Sequence, residues 1–502
     1  MDHRPPPSPP PPSPSRRRPR ALPPLPSDPG FWRSPVRGLR FTAALGIVLL
    51  IGLTLLFVTG LLSYAAYNPD LASVNDKTPD RGWLGFYLFD WPTHPYWLYR
   101  LTQGFHVTVG VALIPVLLAK LWSVIPRFFA LPPVRSLAHA LERLSLVLLV
   151  GGALFEFVTG VLNIQLDYIF PGSFYRLHFY GAWVFFVGFV AHAALKLPKA
   201  LRVIRSGELR SGPGGGGSGA GAWPAPDGGG GAGGGADAGA GAGADAGARA
   251  VPDGARSGAP DRARSGAAAG GAGRAPGAVP GAAFDDDDLT SPAPAAPTVS
   301  RRGAFTLVGT ASLFMLLTTA GRSVDGPLRR TALLAPHGWE DPGGGPNGFQ
   351  INKTAASVGV RAADTTDSWR LTVSGPAGEV RLSRAQLLAM TQHTSELPIA
   401  CVEGWSTSNQ SWRGVRLRDL AELAGFPESP PGVFVESLQR GGAFRSGALR
   451  DNQVRDDRSL LALRVNGADL SLDHGFPARI IVPAAPGVLN TKWVAKLTFG
   501  AV

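Results

Sequence analysis

One cysteine and a few histidines carry the chemistry that this sequence could do. Cys401 is the only thiol among 502 residues, which rules out a disulfide framework and any zinc site built on several cysteines. A lone thiolate can still be the soft ligand of a metal; the plain alternative is a small buried apolar side chain. His106 stands in one long apolar run, and His178 and His192 stand in another, 14 positions apart. At 100° per residue that spacing returns to within about 40° of the same face, about 21 Å further along. A neutral imidazole is a strong axial ligand for haem iron, and one helix presenting two of them is what two stacked b-type haems require. The alternative is that these histidines are interfacial or helix-packing residues.

The elements that must position these groups are apolar runs at about 40–63, 98–122, 141–163 and 175–197. Each approaches or exceeds the ~20 residues that span hydrocarbon. Arg33, Arg37 and Arg40 precede the first run; Lys120, Arg127, Arg135 and Arg143 lie around the loop after the second; Lys196, Lys199, Arg202 and Arg205 follow the fourth. All three basic segments fall on one side, so the positive-inside rule puts the N-terminus in the cytoplasm. A fifth run, about 303–320, follows Arg301 and Arg302 and is expected to deliver the rest of the chain outside. The net charge of +12 is thus mostly a topology signal beside apolar runs, and nucleic acid is not the expected partner. Expected instead are membrane lipid and a multi-pass place in a bacterial cell membrane.

The second and fourth runs cross in the same direction, which brings His106 and His178 into the same outer half, where they are expected to ligate one haem b. His192 lies in the inner half. The matching position on the second run is Lys120, which cannot serve, so His139 is the remaining partner for a second haem iron. Glu156 on the third run is expected either to pair with a nearby donor or quinone hydroxyl, or to reach the outer surface. Ionisable groups within spans are rare and usually functional.

The flanking segments differ in kind. Residues 1–35 are Pro- and Arg-rich, and 206–299 are Gly/Ala-rich; both lack the apolar residues that offset the entropy of folding, so both are expected to be disordered, the second as a cytoplasmic linker. The membrane domain is then 36–205, the fifth helix 300–322 and the last domain 335–502. In that last domain "WRLTVSG", "VFVESL", "ARIIVP" and "KWVAKLTF" read as strands, and "SRAQLLAMT" and "LRDLAELAG" as short helices, the second stopped by Gly425. The fold class expected is a four-helix transmembrane bundle plus a fifth spanning helix and a mixed α+β domain.

Two resemblances add to this. "LTQGFHVTVG … AHALERLS … LHFYGAWVFFVGFVAH" resembles the cytochrome b561-like four-helix b-haem proteins, which pass electrons between quinone and a partner enzyme; it covers about 40–200. "ELPIACVEGWSTSNQSWRGVRLRDLAELAG" and "DHGFPARIIVPAAPGVLNTKWV" are similar to the molybdenum-ligating and pterin-binding segments of the sulfite oxidase superfamily. That resemblance implies molybdopterin as cofactor, with Cys401 as the molybdenum ligand and the catalytic centre. It further implies Arg479 and Lys492 on the pterin phosphate, Asn490 and Thr491 along the phosphate loop, and His474 against the pterin. Ser437 and Asn352 match other cofactor-contacting positions. Sulfite oxidases carry basic residues soon after the ligand cysteine; here Val402-Glu403-Gly404-Trp405 stands in that place. The segment therefore looks closer to the branch of the periplasmic methionine-sulfoxide reductase catalytic subunit.

The function expected is an electron relay among the quinone pool, membrane haem and an extracytoplasmic molybdenum site acting on a small or protein-bound S-oxide or N-oxide. The competing readings are a sulfite-oxidising dehydrogenase and a cofactor-free membrane scaffold. "SRRGAF" before the fifth run resembles a twin-arginine export signal; a plain positive-inside flank is the alternative.

Overall fold

The computed structural model describes residues 39–67, 88–129, 136–164, 174–205, 299–324, 326–334, 343–442 and 444–500. The expectations for 1–35 and for nearly all of 206–299 lie outside them.

Among the described residues, five helices are long and apolar enough to cross a membrane, the fifth counted over Arg301–Val324. They are α1 (Leu39–Tyr67), α2 (Leu98–Val124), α3 (Leu137–Asn163), α4 (Phe174–Arg205) and α5 (Arg301–Leu317). The 29 residues of α1 reach about 43 Å at 1.5 Å each. α1 packs chiefly on α2 and α3 on α4, with lesser contacts of α2 on α3 and α1 on α4; α5 lies against α2. Their shared interior is Phe41, Leu45, Leu49, Leu53, Leu113 and Phe185, whereas Ile51, Val58, Val187, Leu307 and Phe314 are exposed. Exposed apolar side chains in such number suit a hydrocarbon surrounding. α5 buries none of its side chains. It opens on Ser300, whose hydroxyl accepts from Gly303 N at 3.0 Å and so satisfies one of the orphan donors of the first turn. A short helix, α6 (Gly321–Val324), turns the chain toward the last domain.

That domain is mixed α+β, built on two sheets. Its elements are β1 (Arg370–Gly375), β2 (Gly378–Ser383), α7 (Arg384–Ala389), β3 (His393–Leu397), β4 (Gln410–Arg416) and α8 (Leu417–Leu423), followed by β5 (Val433–Ser437), β6 (Ser446–Leu449), α9 (Asp451–Arg455), β7 (Leu460–Val465), β8 (Ala468–Asp469), β9 (Arg479–Ile481) and β10 (Val494–Phe499). One sheet runs β2-β1-β10-β5-β6, with β1 and β10 parallel; the other runs β3-β4-β7-β8, with β9 also on β7. Leu371 and Val373, Val433 and Val435, and Leu461 and Leu463 point into one core between the sheets, the period-2 alternation of half-buried strands. α7 starts on a capping box, Ser383 Oγ accepting from Gln386 N and Gln386 Oε1 from Ser383 N. α8 ends as its glycine requires: Gly425 has φ +100°. The strands and helices read from the sequence here all form.

The segment 88–97 ties the helical region to this domain. Trp91 Nε1 donates to Ala484 O at 2.6 Å, Ala484 N to Tyr96 O at 3.1 Å and Asn452 Nδ2 to Trp91 O at 2.9 Å.

Candidate functional site: a thiol cavity above a pair of histidines

Cys401 sits in a tight turn just beyond β3. Its amide donates to Trp405 O at 2.8 Å, and Gly404 N donates back to Cys401 O at 3.1 Å. Gly404 closes the turn at φ +88°, a backbone conformation that a side chain resists. The thiol is 2 % exposed and opens into a cavity of about 290 Å³. Around it, Sγ lies 3.6 Å from Glu403 Oε2 and 3.7 Å from Asn352 Nδ2. Trp405 Nε1 holds the same carboxylate oxygen at 2.8 Å.

Cations line the same cavity. Arg479, on β9, is 2 % exposed; it donates to His474 O at 3.0 Å and Asn490 O at 3.2 Å, and its guanidinium lies 5.0 Å from the centre of the Trp412 ring. Its Nε has no hydrogen-bond partner among the described residues. Burial lowers Arg479 from the usual guanidinium range to about 9. Lys492 Nζ donates to Lys353 O at 2.8 Å and Asp473 O at 2.7 Å. Burial, and then the neighbouring Arg479 and Lys353, push it well below its ordinary value. Neither cation forms an ion pair among the described residues. Buried charges are costly unless paired, so this wall is built for an anion.

His474 stays neutral beside them. Its Nε2 is 3.2 Å from Phe349 O, an acceptor, so that nitrogen carries the proton; Nδ1 then accepts from Ser471 Oγ at 2.8 Å. Burial first, then the Arg479 and Lys492 charges, hold it down at about 3. Asn490 is fixed by Val482 N donating to its Oδ1 at 2.9 Å.

Of the residues named from the sequence, Cys401, Asn352, His474, Arg479, Asn490, Thr491 and Lys492 all line this one cavity. Ser437 does not. Its hydroxyl donates to Lys492 O at 2.7 Å and accepts from Gln439 N at 3.3 Å, so it braces the backbone of the lysine just before β10. Sequence reasoning missed Lys353, Gln439 and Phe444 on the cavity wall; Phe444, at φ +61°, follows glycines that mark only a turn.

Below lies a second cavity, about 170 Å³, with His106 and His178 in its wall. Their ring centres are 6.3 Å apart and the rings nearly perpendicular, at 85°. Thr59 Oγ1 lies 2.9 Å from His106 Nδ1, and Thr159 Oγ1 lies 3.1 Å from His178 Nδ1. Each threonine spends its hydroxyl proton on a backbone carbonyl one turn earlier, Leu55 O and Phe155 O, both at 2.8 Å. The threonine oxygens therefore accept from the Nδ1–H groups, which leaves the lone pair of each ring on Nε2. Gly60 and Gly160 leave room for the rings: a Cβ there would stand 3.3 Å and 3.2 Å from the Cε1 atoms of His106 and His178. The signal that could have found these positions is a repeat, "FVTG" at 57–60 on α1 and again at 157–160 on α3. Glu156 precedes the second copy, and its Oε2 lies 3.1 Å from His178 Nδ1, so of its two expected placements it takes the inward one. Near the C-terminal end of α2, Lys120 donates to Thr42 O at 2.6 Å. His192 is half-buried on α4, and the side chain of His139 lies outside the described residues, so their pairing stays an expectation.

Comparison with known proteins bears on the C-terminal region. Residues 357–501 match the family described as "Oxidoreductase molybdopterin binding domain". The uncharacterized oxidoreductase YuiH of Bacillus subtilis is 33% identical over 132 residues, 26% of this chain and 65% of that protein. Sulfite oxidase of Gallus gallus is 32% identical over 157 residues, 26% of this chain and 34% of that one. Nitrate reductase [NADH] 1 of Oryza sativa is 36% identical over 99 residues, 18% and 11%. Among solved structures, the sulfane dehydrogenase SoxCD of Paracoccus pantotrophus has a TM-score of 0.24 at 23% identity, covering 26% of this chain and 38% of that one. The chain spans less than two thirds of each of these relatives. Its C-terminal region is a molybdopterin-binding oxidoreductase domain, similar to sulfite oxidase and nitrate reductase.

The donor set fits that cofactor. A buried Arg479 and a half-buried Lys492, with no carboxylate partner among the described residues, suit the pterin phosphate, and a thiol in the same cavity suits a soft-ligand metal.

Proposed function

We propose that this protein is a membrane-bound molybdenum oxidoreductase that draws electrons from the quinol pool through a b-type haem held by His106 and His178, and reduces a small S-oxide or N-oxide outside the membrane. The observation that carries this reading is the pair of cavities in one packed body, a thiol in the upper and two imidazoles facing across the lower. The ring centres of His106 and His178 stand 6.3 Å apart in the wall of one cavity, so the two imidazoles would be the residues to hold a haem iron there.

When bound, molybdenum supplies two-electron oxygen-atom transfer. The residues do the rest: Cys401 binds the metal, Arg479 and Lys492 hold the phosphate, and the neutral His474 offers its ring to the pterin without adding charge. Removing oxygen from an S-oxide takes two electrons and two protons and yields the sulfide and water. An ionised Glu403, 5 % exposed and 3.6 Å from Sγ, would disfavour an anion such as sulfite close to the metal and favour a neutral substrate.

Molybdenum analysis and a dithionite-reduced optical spectrum of the purified full chain test the reading together with parallel assays on methionine sulfoxide and sulfite. Molybdenum, b-haem bands and sulfoxide reduction are expected. Sulfite oxidation alone would replace the substrate assignment, and a chain without molybdenum or haem would overturn the function.

A further inference from the structure

We propose that the turn 401–406 and the side chain of Gln103 form the route by which electrons cross between the two cavities, within one chain and without a diffusing carrier. This rests on the function proposed above, with a metal centre in each cavity. Val402 is the partition, since it lines the thiol cavity and the histidine cavity alike. Gln103 stands in the wall of the lower cavity, three residues before His106 on α2, and its Nε2 donates to the carbonyl of Val402. The helix that carries His106 is thereby joined to the residue that carries the thiol by one side chain, one hydrogen bond and one peptide.

The turn is also held down on the helices. Ser323 Oγ donates to Gly404 O at 2.6 Å, Ser406 Oγ to Ser323 O at 2.7 Å and Ser406 N to Arg322 O at 2.9 Å. Gly404 rests directly on α2, where a Cβ would come within 2.7 Å of Val107 Cβ. On the other side, a Cβ at Gly104 would meet Ser323 Cβ at 2.8 Å, so two glycines let the site turn, α2 and α6 approach one another. A domain served by a carrier needs this face open for docking; here Glu403, Trp405 and Ser406 are buried against the helices. With both groups bound, the two electrons that S-oxide reduction consumes would cross this contact one at a time.

The test uses the detergent-purified full chain loaded with both groups. A laser flash on deazaflavin reduces the haem, and the decay of the ferrous band then reports transfer to oxidised molybdenum. The wild type is expected to decay at a rate independent of protein concentration. Gln103→Met keeps the side-chain length and loses the hydrogen bond to Val402 O; it is expected to slow that decay several-fold with both centres still in place, because the hydrogen-bonded link in the route is gone. A second readout is the relaxation of the Mo(V) spin, which ferric haem nearby accelerates; it is expected to stay fast in the variant, showing that the centres have not moved apart. An unchanged decay rate in Gln103→Met with metal and haem contents intact overturns the route, as does a wild-type decay that scales with protein concentration. Absence of haem or molybdenum from the wild type instead removes the underlying function.

Discussion

At the scale of single residues, the chemistry of both cavities is set by what each polar group's neighbours leave over. Thr59 and Thr159 commit their protons to the helix backbone, so the histidines donate from Nδ1 and keep the lone pair on Nε2. Partners of this kind orient ligands, and losing one typically weakens metal affinity 10–100-fold. Thr59→Val and Thr159→Val are each expected to lower haem retained per chain by affinity losses of that order, read by haem titration of the detergent-purified protein. In the upper cavity, His474 is held at about 3 when folded, against about 6.5 for the free side chain. The unfolded chain therefore takes up a proton that the folded chain refuses. Stability is fullest above about pH 6.5 and is lost as pH falls from there toward 3. In cofactor-free protein the denaturant midpoint is expected to fall between pH 7 and pH 5, and His474→Gln to flatten that slope; an equal slope in both proteins would contradict the assignment.

At the scale of elements, the turn after β3 does two things at once: it aims Cys401 into the upper cavity and lays Gly404 on α2. A Cβ at position 404 meets both a left-handed backbone and Val107, so Gly404→Ala is expected to cost about 1–3 kcal/mol, seen as a lower thermal midpoint of the full chain. This is also where the sequence stops being readable. The spans, the strands of the last domain and seven of the eight proposed cofactor contacts follow from local pattern and motif, because periodicity and motif order are properties of short windows. Ser437 was legible as a site residue by position only; which way its hydroxyl turns depends on the Lys492 carbonyl, 55 residues on. The "FVTG" repeat was present in plain letters, yet threonine in a spanning helix ordinarily bonds its own backbone, and nothing local marks the same oxygen as an imidazole partner. The contacts of 88–97 are more distant still: Trp91 meets Ala484 across 393 positions.

At the scale of the molecule, two kinds of surface meet in one body. Apolar helices expose Ile51, Val187 and Leu307 outward, while the α+β domain is seated on their ends through 88–97, α6 and the 401–406 turn. These contacts do not depend on the chain between 206 and 298. A protease site placed in that stretch and cut in detergent is therefore expected to leave residues 299–502 co-eluting with the helical region on gel filtration; separation of the two pieces would show the seating to be weak. The account as a whole turns on a sulfur–metal bond made by Cys401. X-ray absorption at the molybdenum edge measures that bond directly in the purified full chain. One more sulfur neighbour in the wild type than in Cys401→Ser is the predicted result. A sulfur shell that is the same in both would contradict it.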